Sequence, residues 1–363
     1  MSAAQELDQA KVTAFEERLV DTLNAGALCL MMSVGHRTGL FDSMADLAQP
    51  AGSAEIARSA GLHERYVREW LGAMVTARVV DYDERTDSYR LPPEHVARLT
   101  RGAAPANIAV FAQYIPLLGA IEDDITDCFR NGGGVPYARY RRFHEVMAED
   151  SGQTVLPALR EHILPLVPGL LERLGSGVRV LDVGCGRGKA LNLMAGWFPN
   201  SRFVGYDLAE EAIAFAREQA RNEGHPNVTF EERDLSNFAE AAAGQPRGFD
   251  LITTFDSVHD QANPRSVLRG IRLSLAEGGV YLAQDIKGSS RVHLNRDHPL
   301  GTMLYTVSCL HCMTVSLAQG GEGLGAMWGR EKAEELMHEA GFRSIEVHEL
   351  EHDIQNYYYV CHA

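Results

Sequence analysis

The stretch from Val180 to Gly188 constrains the fold of this chain more than any other. An apolar run rich in β-branched residues ends in an acid, Asp182, and three glycines follow it at alternate positions: Gly184, Gly186 and Gly188. A helical pattern starts directly behind them, so the order strand, tight turn, helix is predicted. Glycine permits positive φ and lets a ligand approach the backbone closely. The stretch therefore predicts the first strand of an open α/β sheet, with a ligand site at its carboxyl end.

The glycine spacing chooses among ligands. A dinucleotide fingerprint, G-x-G-x-x-G, would need glycine at position 189, where this chain has Lys189. The pattern G-x-G-x-G, with an acid two residues ahead of it, resembles the first motif of the class I S-adenosylmethionine (SAM) dependent methyltransferases. A tight strand-to-helix turn of another kind, or a diverged dinucleotide site, is the alternative interpretation of these nine residues.

Acids end the next two predicted strands as well. Asp207 is the last residue of the predicted strand 202–207. An ionised carboxylate there can accept hydrogen bonds from both ribose hydroxyls, a feature that NAD proteins share. Asp234 lies at the end of 228–235 and matches the acid that meets the adenine amino group in the methyltransferase family. Five strands in family order favour SAM over NAD.

The remaining strands complete a fold class. The fourth and fifth strands are predicted at 249–256 and 279–285, and a terminal hairpin at 342–350 and 354–362. This hairpin resembles the antiparallel sixth and seventh strands of the methyltransferase sheet. We expect an α/β protein with a seven-stranded Rossmann-like sheet and an antiparallel C-terminal hairpin, preceded by a mainly helical winged-helix domain.

The resemblance implies SAM as cofactor and a set of binding residues at the strand ends. These are Asp182, Gly184, Cys185, Gly186, Gly188, Asp207, Leu208, Asp234, Leu235, Phe255 and Asp256.

The predicted catalytic group is His259, just beyond the fourth strand. His259-Asp260 occupies the place of the His-Asp pair whose histidine is the general base in plant-type O-methyltransferases, although Gln261 replaces the tryptophan that follows there. An imidazole titrates near neutrality and suits removal of a hydroxyl proton. By the same resemblance, Asp285 and Glu322 would orient the base. A histidine that caps the following helix or stacks near adenine is the alternative.

The N-terminal part carries helical patterning and then a winged helix. Apolar residues recur at helical spacing from Phe15 to Met31, a break is expected at 35–42, and helix, turn, helix and hairpin follow between Ser53 and Arg98, with Ser53 as an N-cap signal. The order resembles the N-terminal domain of plant- and bacterial-type small-molecule O-methyltransferases, which dimerises. It implies a homodimer.

Charge argues against nucleic acid as a partner. Between Ser53 and Thr100 there are seven arginines and eight acids, and the whole chain has a net charge of −15. A protein that binds DNA or an anionic membrane surface needs a basic face. We therefore expect no nucleic-acid or membrane partner.

Three segments are expected: a helical and winged-helix dimerisation domain at 1–105, a helical linker or substrate lid at 106–154, and a SAM-binding methyltransferase domain at 155–363. Within the last, 286–325 forms a substrate-facing insertion that sets specificity.

Cysteine usage and the N-terminus indicate a cytoplasmic protein. The six cysteines show no disulfide-framework spacing, and no basic region followed by an apolar core marks a secretory signal. Cys309, His311 and Cys312 lack a second ligand pair, so no metal site is predicted.

These features predict a SAM-dependent methyltransferase that acts on a small organic acceptor, at a hydroxyl group. Methylation of an amine or thiol is one alternative. A SAM-sensing transcription regulator that uses the winged helix on DNA is another.

Overall fold

The computed structural model of the chain describes residues 7–104, 106–153, 155–245 and 247–362. These fall into two compact units, Met1–Leu117 and Leu118–Ala363. The division lies inside the segment 106–154 that was assigned to a linker or lid, and the three-part division stays a prediction.

The first unit is mainly helical and contains one short antiparallel hairpin, β1 with β2. The order helix, turn, helix, hairpin from α3 to β2 is the predicted winged helix. The elements are α1 (Gln9–Thr38), α2 (Leu40–Ala45), α3 (Ser53–Ala60), α4 (Glu64–Thr76), β1 (Asp81–Asp83), β2 (Ser88–Arg90), α5 (Pro93–Leu99), a 3-10 helix (Ile108–Gln113) and α6 (Tyr114–Gly119), which continues into the second unit.

The break expected at 35–42 falls at Gly39, which has a φ of 72° and ends the first helix after Thr38. Gly35 is required inside the helix because the Trp70 ring packs against its Cα, and a Cβ there would lie 2.6 Å from the ring. One local prediction in this unit is wrong, the N-cap at Ser53. Gly52 holds that position, and the Ser53 hydroxyl instead donates to Glu64 at 2.6 Å.

The second unit alternates strands with helices. Its elements up to the sheet centre are α7 (Glu122–Asn131), a 3-10 helix (Tyr137–Arg139), α8 (Phe143–Gln153), α9 (Val155–Ala158), a π-helical turn (Leu159–Ile163), α10 (Leu170–Ser176), β3 (Arg179–Val183), α11 (Lys189–Trp197), β4 (Arg202–Asp207), α12 (Glu210–Glu223), β5 (Val228–Glu232), α13 (Phe238–Ala242) and β6 (Phe249–Phe255). The remaining elements are α14 (Pro264–Ser274), β7 (Leu275–Ile286), α15 (Gly301–Val307), a second π-helical turn (Ser308–Cys312), α16 (Met313–Ala318), α17 (Gly329–Ala340), β8 (Ser344–His348) and β9 (Asn356–His362).

Seven strands form one sheet in the order β5-β4-β3-β6-β7-β9-β8. Strands β3 to β7 pair in parallel, and β9 is antiparallel to both β7 and β8. The predicted fold class is therefore confirmed, with one correction. Only β9 runs against the parallel strands, because β8 pairs with β9 alone and so has the direction of β7. The chain reverses its order at β3 and β6, where ligands bind in open α/β sheets.

The centre of the sheet is covered on both faces, which explains why its central strands are mostly apolar and buried. Successive residues of β3 point to opposite faces, so Val180 belongs to one buried cluster and Leu181 to the other. Leu251 and Ile252 on β6 divide in the same way. Helices on each face bury these side chains.

One helical stretch, Gly301–Ala318, is long and apolar enough to cross a membrane by length and composition alone. In this structure Leu304 and Cys312 from that stretch are buried in a cluster with Ile286 and Met327. Such packing accounts for its hydropathy as a core helix of the second unit.

Gly35→Ala should destabilise the protein although alanine is the better helix former. The added methyl would overlap Trp70 and Phe41, and overpacking of this kind costs about 1–3 kcal/mol. Gly72→Ala is the matched control, because a Cβ at this exposed position in α4 meets no atom within 4 Å and should stabilise by about 0.5–1 kcal/mol. Urea unfolding of both variants measures the difference. Equal stabilisation by both would contradict the packing at Gly35.

Candidate functional site

The glycine turn, Gly184–Gly188, follows β3 and cannot carry other side chains at its glycines. Gly184, Gly186 and Gly188 have φ values of 74°, 52° and 65°. A Cβ on Gly184 would lie 2.4 Å from the Ser257 side chain, and one on Gly188 would lie 2.4 Å from Phe230. The positive φ and the close neighbours together explain the glycines. The turn brings backbone N–H groups and the start of α11 to the sheet edge.

Asp207 fixes this turn from the neighbouring strand. Its Oδ2 accepts a hydrogen bond from the Gly186 N–H at 2.8 Å, and its Oδ1 accepts one from Ala209 at 2.9 Å. Each carboxylate oxygen retains a further lone pair that could accept a ligand hydroxyl. This arrangement fits recognition of a ribose.

The strand ends enclose a cavity of about 260 Å³. All eleven residues predicted from the sequence to hold the cofactor line it, which follows from the convergence of parallel strands at one edge. The other residues of its wall include Tyr137, Phe143, His144 and Met147 from the segment around α8, which the sequence had assigned to a substrate lid. The cofactor roles of the individual residues stay predictions.

Carboxyl groups are buried at the centre of this cavity. Asp182 is 2% exposed and accepts a hydrogen bond from Thr253 at 2.7 Å. Burial raises the pKa of Asp182 to about 7, with the Thr253 hydrogen bond opposing and Asp207 adding to the shift. An acid held in this state responds to a cationic or donor-rich ligand by ionising.

His259 lies behind the cavity wall in a hydrogen-bonded group. Its Nδ1 is 2.8 Å from Asp285 Oδ1, and both side chains are almost fully buried. Asp285 also accepts hydrogen bonds from the indole N–H of Trp328 at 2.9 Å and from the backbone of Ile286. The Cys312 side chain lies next to His259. Among the cavity-lining residues are Ser257 and Asp260 on either side of His259, but not His259 itself.

The protonation of His259 reflects opposing effects. Burial lowers the pKa of His259, but the negative charge of Asp285 and the contact with Cys312 raise it by more. The pKa of His259 therefore lies well above the ordinary value. A hydrogen bond from the Nδ1–H group to Asp285 holds the His259 ring in one orientation. That is the arrangement an orienting carboxylate gives to a general base.

The prediction that Glu322 orients His259 is not supported by the structure. The Glu322 carboxylate is partly exposed and pairs with Arg265 at 3.4 Å. The glycine-rich loop around it has positive φ at Gly320 and Gly323 and directs this side chain toward α14 instead. Trp328, which sequence reasoning missed, supplies the second contact to Asp285.

Tyr137 was also not singled out by its sequence context. Its hydroxyl donates a short hydrogen bond to Asp260, which the sequence places directly after His259. Burial raises the pKa of both groups, and the hydrogen bond from Tyr137 opposes the shift at Asp260. The pair closes the cavity between the lid segment and the loop after β6.

The turn Cys309–Cys312 places His311 in a cluster of aromatic side chains and not in a set of metal ligands. The His311 ring stacks on Phe143 with centroids 3.5 Å apart and contacts Tyr137 and Tyr140 edge-on. Within the described ranges no group of three or more histidine, cysteine or acidic side chains is arranged to hold a metal ion.

Comparison with known proteins supports the family on both parts of the chain. Residues 174–341 match the model of a methyltransferase domain, and residues 26–101 match the model of the Rv2258c-like winged helix-turn-helix domain. A curated relative, the ubiquinone biosynthesis O-methyltransferase of Glaesserella parasuis, is 27% identical over 119 residues, which are 32% of this chain and 49% of that protein. The chain thus spans about half the length of the curated relatives it matches.

Solved structures extend the likeness in fold to nearly the whole chain. Human N-acetylserotonin methyltransferase, solved in complex with SAM, has a TM-score of 0.65 at 18% identity and covers 99% of each chain. Mitomycin 7-O-methyltransferase has a TM-score of 0.67 at 18% identity, over 98% of this chain and 100% of its own. The two family models confirm the predicted methyltransferase domain and the winged helix-turn-helix domain ahead of it, and the solved structures show that the whole chain has the fold of known methyltransferases.

Proposed function

We propose that this protein transfers a methyl group from SAM to a hydroxyl group of a small organic acceptor, with His259 as general base. The observation that carries the proposal is the position of the buried His259–Asp285 pair, which follows directly behind the wall of the strand-end cavity. A cofactor site and an oriented base thereby share the loop after β6.

The cavity fits SAM in its chemistry. Asp207 has lone pairs for both ribose hydroxyls, Asp234 lies at the far strand for the adenine amino group, and the glycine turn leaves space for the rest of the nucleoside against its backbone. When bound, SAM supplies an electrophilic methyl group on a positively charged sulfur. Acidic side chains in the cavity favour that charge.

His259 then removes the proton from the acceptor hydroxyl. With its Nδ1–H donated to Asp285, the other ring nitrogen is the proton acceptor, and the Asp285 carboxylate stabilises the imidazolium that forms. Trp328 holds Asp285 in place by its indole N–H.

We further propose that the protein is a cytoplasmic homodimer with no nucleic-acid or membrane partner. Free thiols at all six cysteines support a reducing compartment. In α4, Arg65 pairs with Glu69 and Arg68 with Glu64, so the arginines of the would-be recognition helix are already neutralised. Along α1, Phe15, Leu19 and Leu23 are 58%, 47% and 75% exposed, an apolar face that a second copy would bury.

His259→Ala should lower turnover by ~10²-fold or more, the range for a lost general base, while SAM affinity stays nearly unchanged. Turnover is measured with the natural acceptor once it is identified, and SAM affinity by calorimetry. His259→Asn serves as a second variant that keeps a polar group against Asp285, and His162→Ala removes an exposed histidine as a control. Wild-type turnover in both His259 variants would rule out the base.

The pH profile of turnover should rise above pH 6.5, because His259 must lose its proton and its pKa is raised. Asp285→Asn removes the negative charge that raises this pKa. The rising limb should therefore move to lower pH, while the plateau rate falls because the imidazole is less well oriented. A limb that stays in place would contradict the pairing, and a profile with no limb near neutrality would favour an amine or thiol acceptor.

Leu23→Asp combined with Phe15→Asp should convert the proposed dimer to a monomer, because two charges in a buried apolar face are costly. Light scattering coupled to size-exclusion chromatography gives the mass. Asn24→Asp, an exposed position away from this face on the same helix, is the control for added negative charge. A monomeric wild-type protein at micromolar concentration would contradict the dimer.

A further inference from the structure

Asp256 has an unusual backbone conformation for its residue type. It follows the last residue of β6 with a φ of 50°, and within the described ranges only Arg78 and Asp87 share a positive φ among non-glycine residues. Its N–H donates to the Gln284 carbonyl oxygen at 3.0 Å, which fixes it to β7. Aspartate tolerates the left-handed region better than most residues. The strain points to a side chain aimed by function.

The Asp256 carboxyl group has one satisfied oxygen and one that lacks a partner. Oδ2 accepts a hydrogen bond from the Gln284 amide at 2.8 Å. Oδ1 is buried and has no hydrogen-bond partner, and the same holds for the Gln284 amide oxygen. Asp256 lines the strand-end cavity. Two buried acceptors without a donor indicate that a ligand supplies N–H groups here.

The surroundings of Asp256 favour a cation. Asp285 on β7 and Asp150 on α8 add negative charge, and His259 on the same loop adds positive charge. Burial, reinforced by Asp285, raises the pKa of Asp256 to about 8. The arginines and the lysine that line the cavity are engaged elsewhere: Arg187 pairs with Glu211, Lys189 donates to the Ala148 carbonyl oxygen, and Arg233 lies over the Tyr206 ring.

We infer that Asp256 binds the ammonium group of the amino-acid part of SAM and gives up a proton to the solvent as it does so. This rests on the proposed function, because it takes SAM as the ligand of the cavity. The protonated carboxyl group becomes a carboxylate, and the ammonium group keeps its charge and donates N–H to Asp256. Asp256, whose Oδ1 has no hydrogen-bond partner among the residues that the structure describes, thus becomes a specificity determinant for the amino-acid end of the cofactor.

The affinity for SAM should fall as the pH is lowered. Below about pH 8 the free protein holds the proton on Asp256, and binding must expel it, so SAM affinity falls by about tenfold per pH unit as the pH is lowered. Above about pH 8 the carboxyl group is already ionised, and the contribution of Asp256 to the pH dependence levels off. Asp256→Asn should lose this part of the dependence.

Calorimetric titration at pH 7 in two buffers of different ionisation heat counts the protons released. SAM and S-adenosylhomocysteine, which keeps the ammonium group, should each release about one proton more than 5′-methylthioadenosine, which lacks it. Asp256→Asn should abolish this difference and weaken SAM and S-adenosylhomocysteine by about tenfold or more, with 5′-methylthioadenosine unaffected. Asparagine also tolerates the left-handed region, so the variant should fold, and thermal melting verifies this.

Asp234→Asn is the matched control, because it neutralises another cavity carboxylate at the far strand and should retain the proton release. SAM binding without proton release, or equal release in Asp256→Asn, would overturn the inference. Release by 5′-methylthioadenosine to the same extent would overturn it too. No binding of SAM or S-adenosylhomocysteine by the wild type would instead contradict the proposed function itself.

Discussion

The close packing of the glycine turn against its neighbours is the constraint on which the site depends. Gly184 leaves no room for a Cβ beside Ser257, and Gly188 leaves none beside Phe230. Ser257 in the loop after β6 and Phe230 on β5 therefore pack against the turn from two sides. Asp207 accepts a hydrogen bond from its backbone. Parallel strands that end at one level bring these groups together, so the cavity and the buried His259–Asp285 pair both follow from one sheet edge.

Burial gives this edge its chemistry. In water, Asp182 and Asp256 would be ordinary carboxylates, but within the sheet edge their pKa values rise to about 7 and about 8. Such groups change charge in response to a ligand's charge, at little change in structure. His259 experiences the opposite balance, because Asp285 offsets the effect of burial on its pKa. We interpret the site as acids that accept a cationic cofactor next to a base that is oriented by one of them.

Much of this could be predicted from the sequence, for physical reasons. Parallel strands buried on both faces give apolar runs, and acids at their ends mark the sheet edge, so Asp182, Asp207 and Asp256 were found together. The contacts of Trp328 with Asp285 and of Tyr137 with Asp260 join residues 43 and 123 positions apart, and no local pattern encodes them. Glu322 was misassigned for the same reason, since only the folded loop shows that it faces Arg265.

Methyl transfer itself is the most direct measure of the central claim. Pure protein would be incubated with methyl-labelled SAM and a fractionated small-molecule extract and, separately, with bulk DNA and RNA. The account predicts label in a small-molecule fraction, attached to oxygen, and none in nucleic acid. Tight binding of SAM with no transfer to any fraction, together with salt-sensitive and sequence-specific DNA binding by the winged helix, would contradict it and support a SAM-sensing regulator.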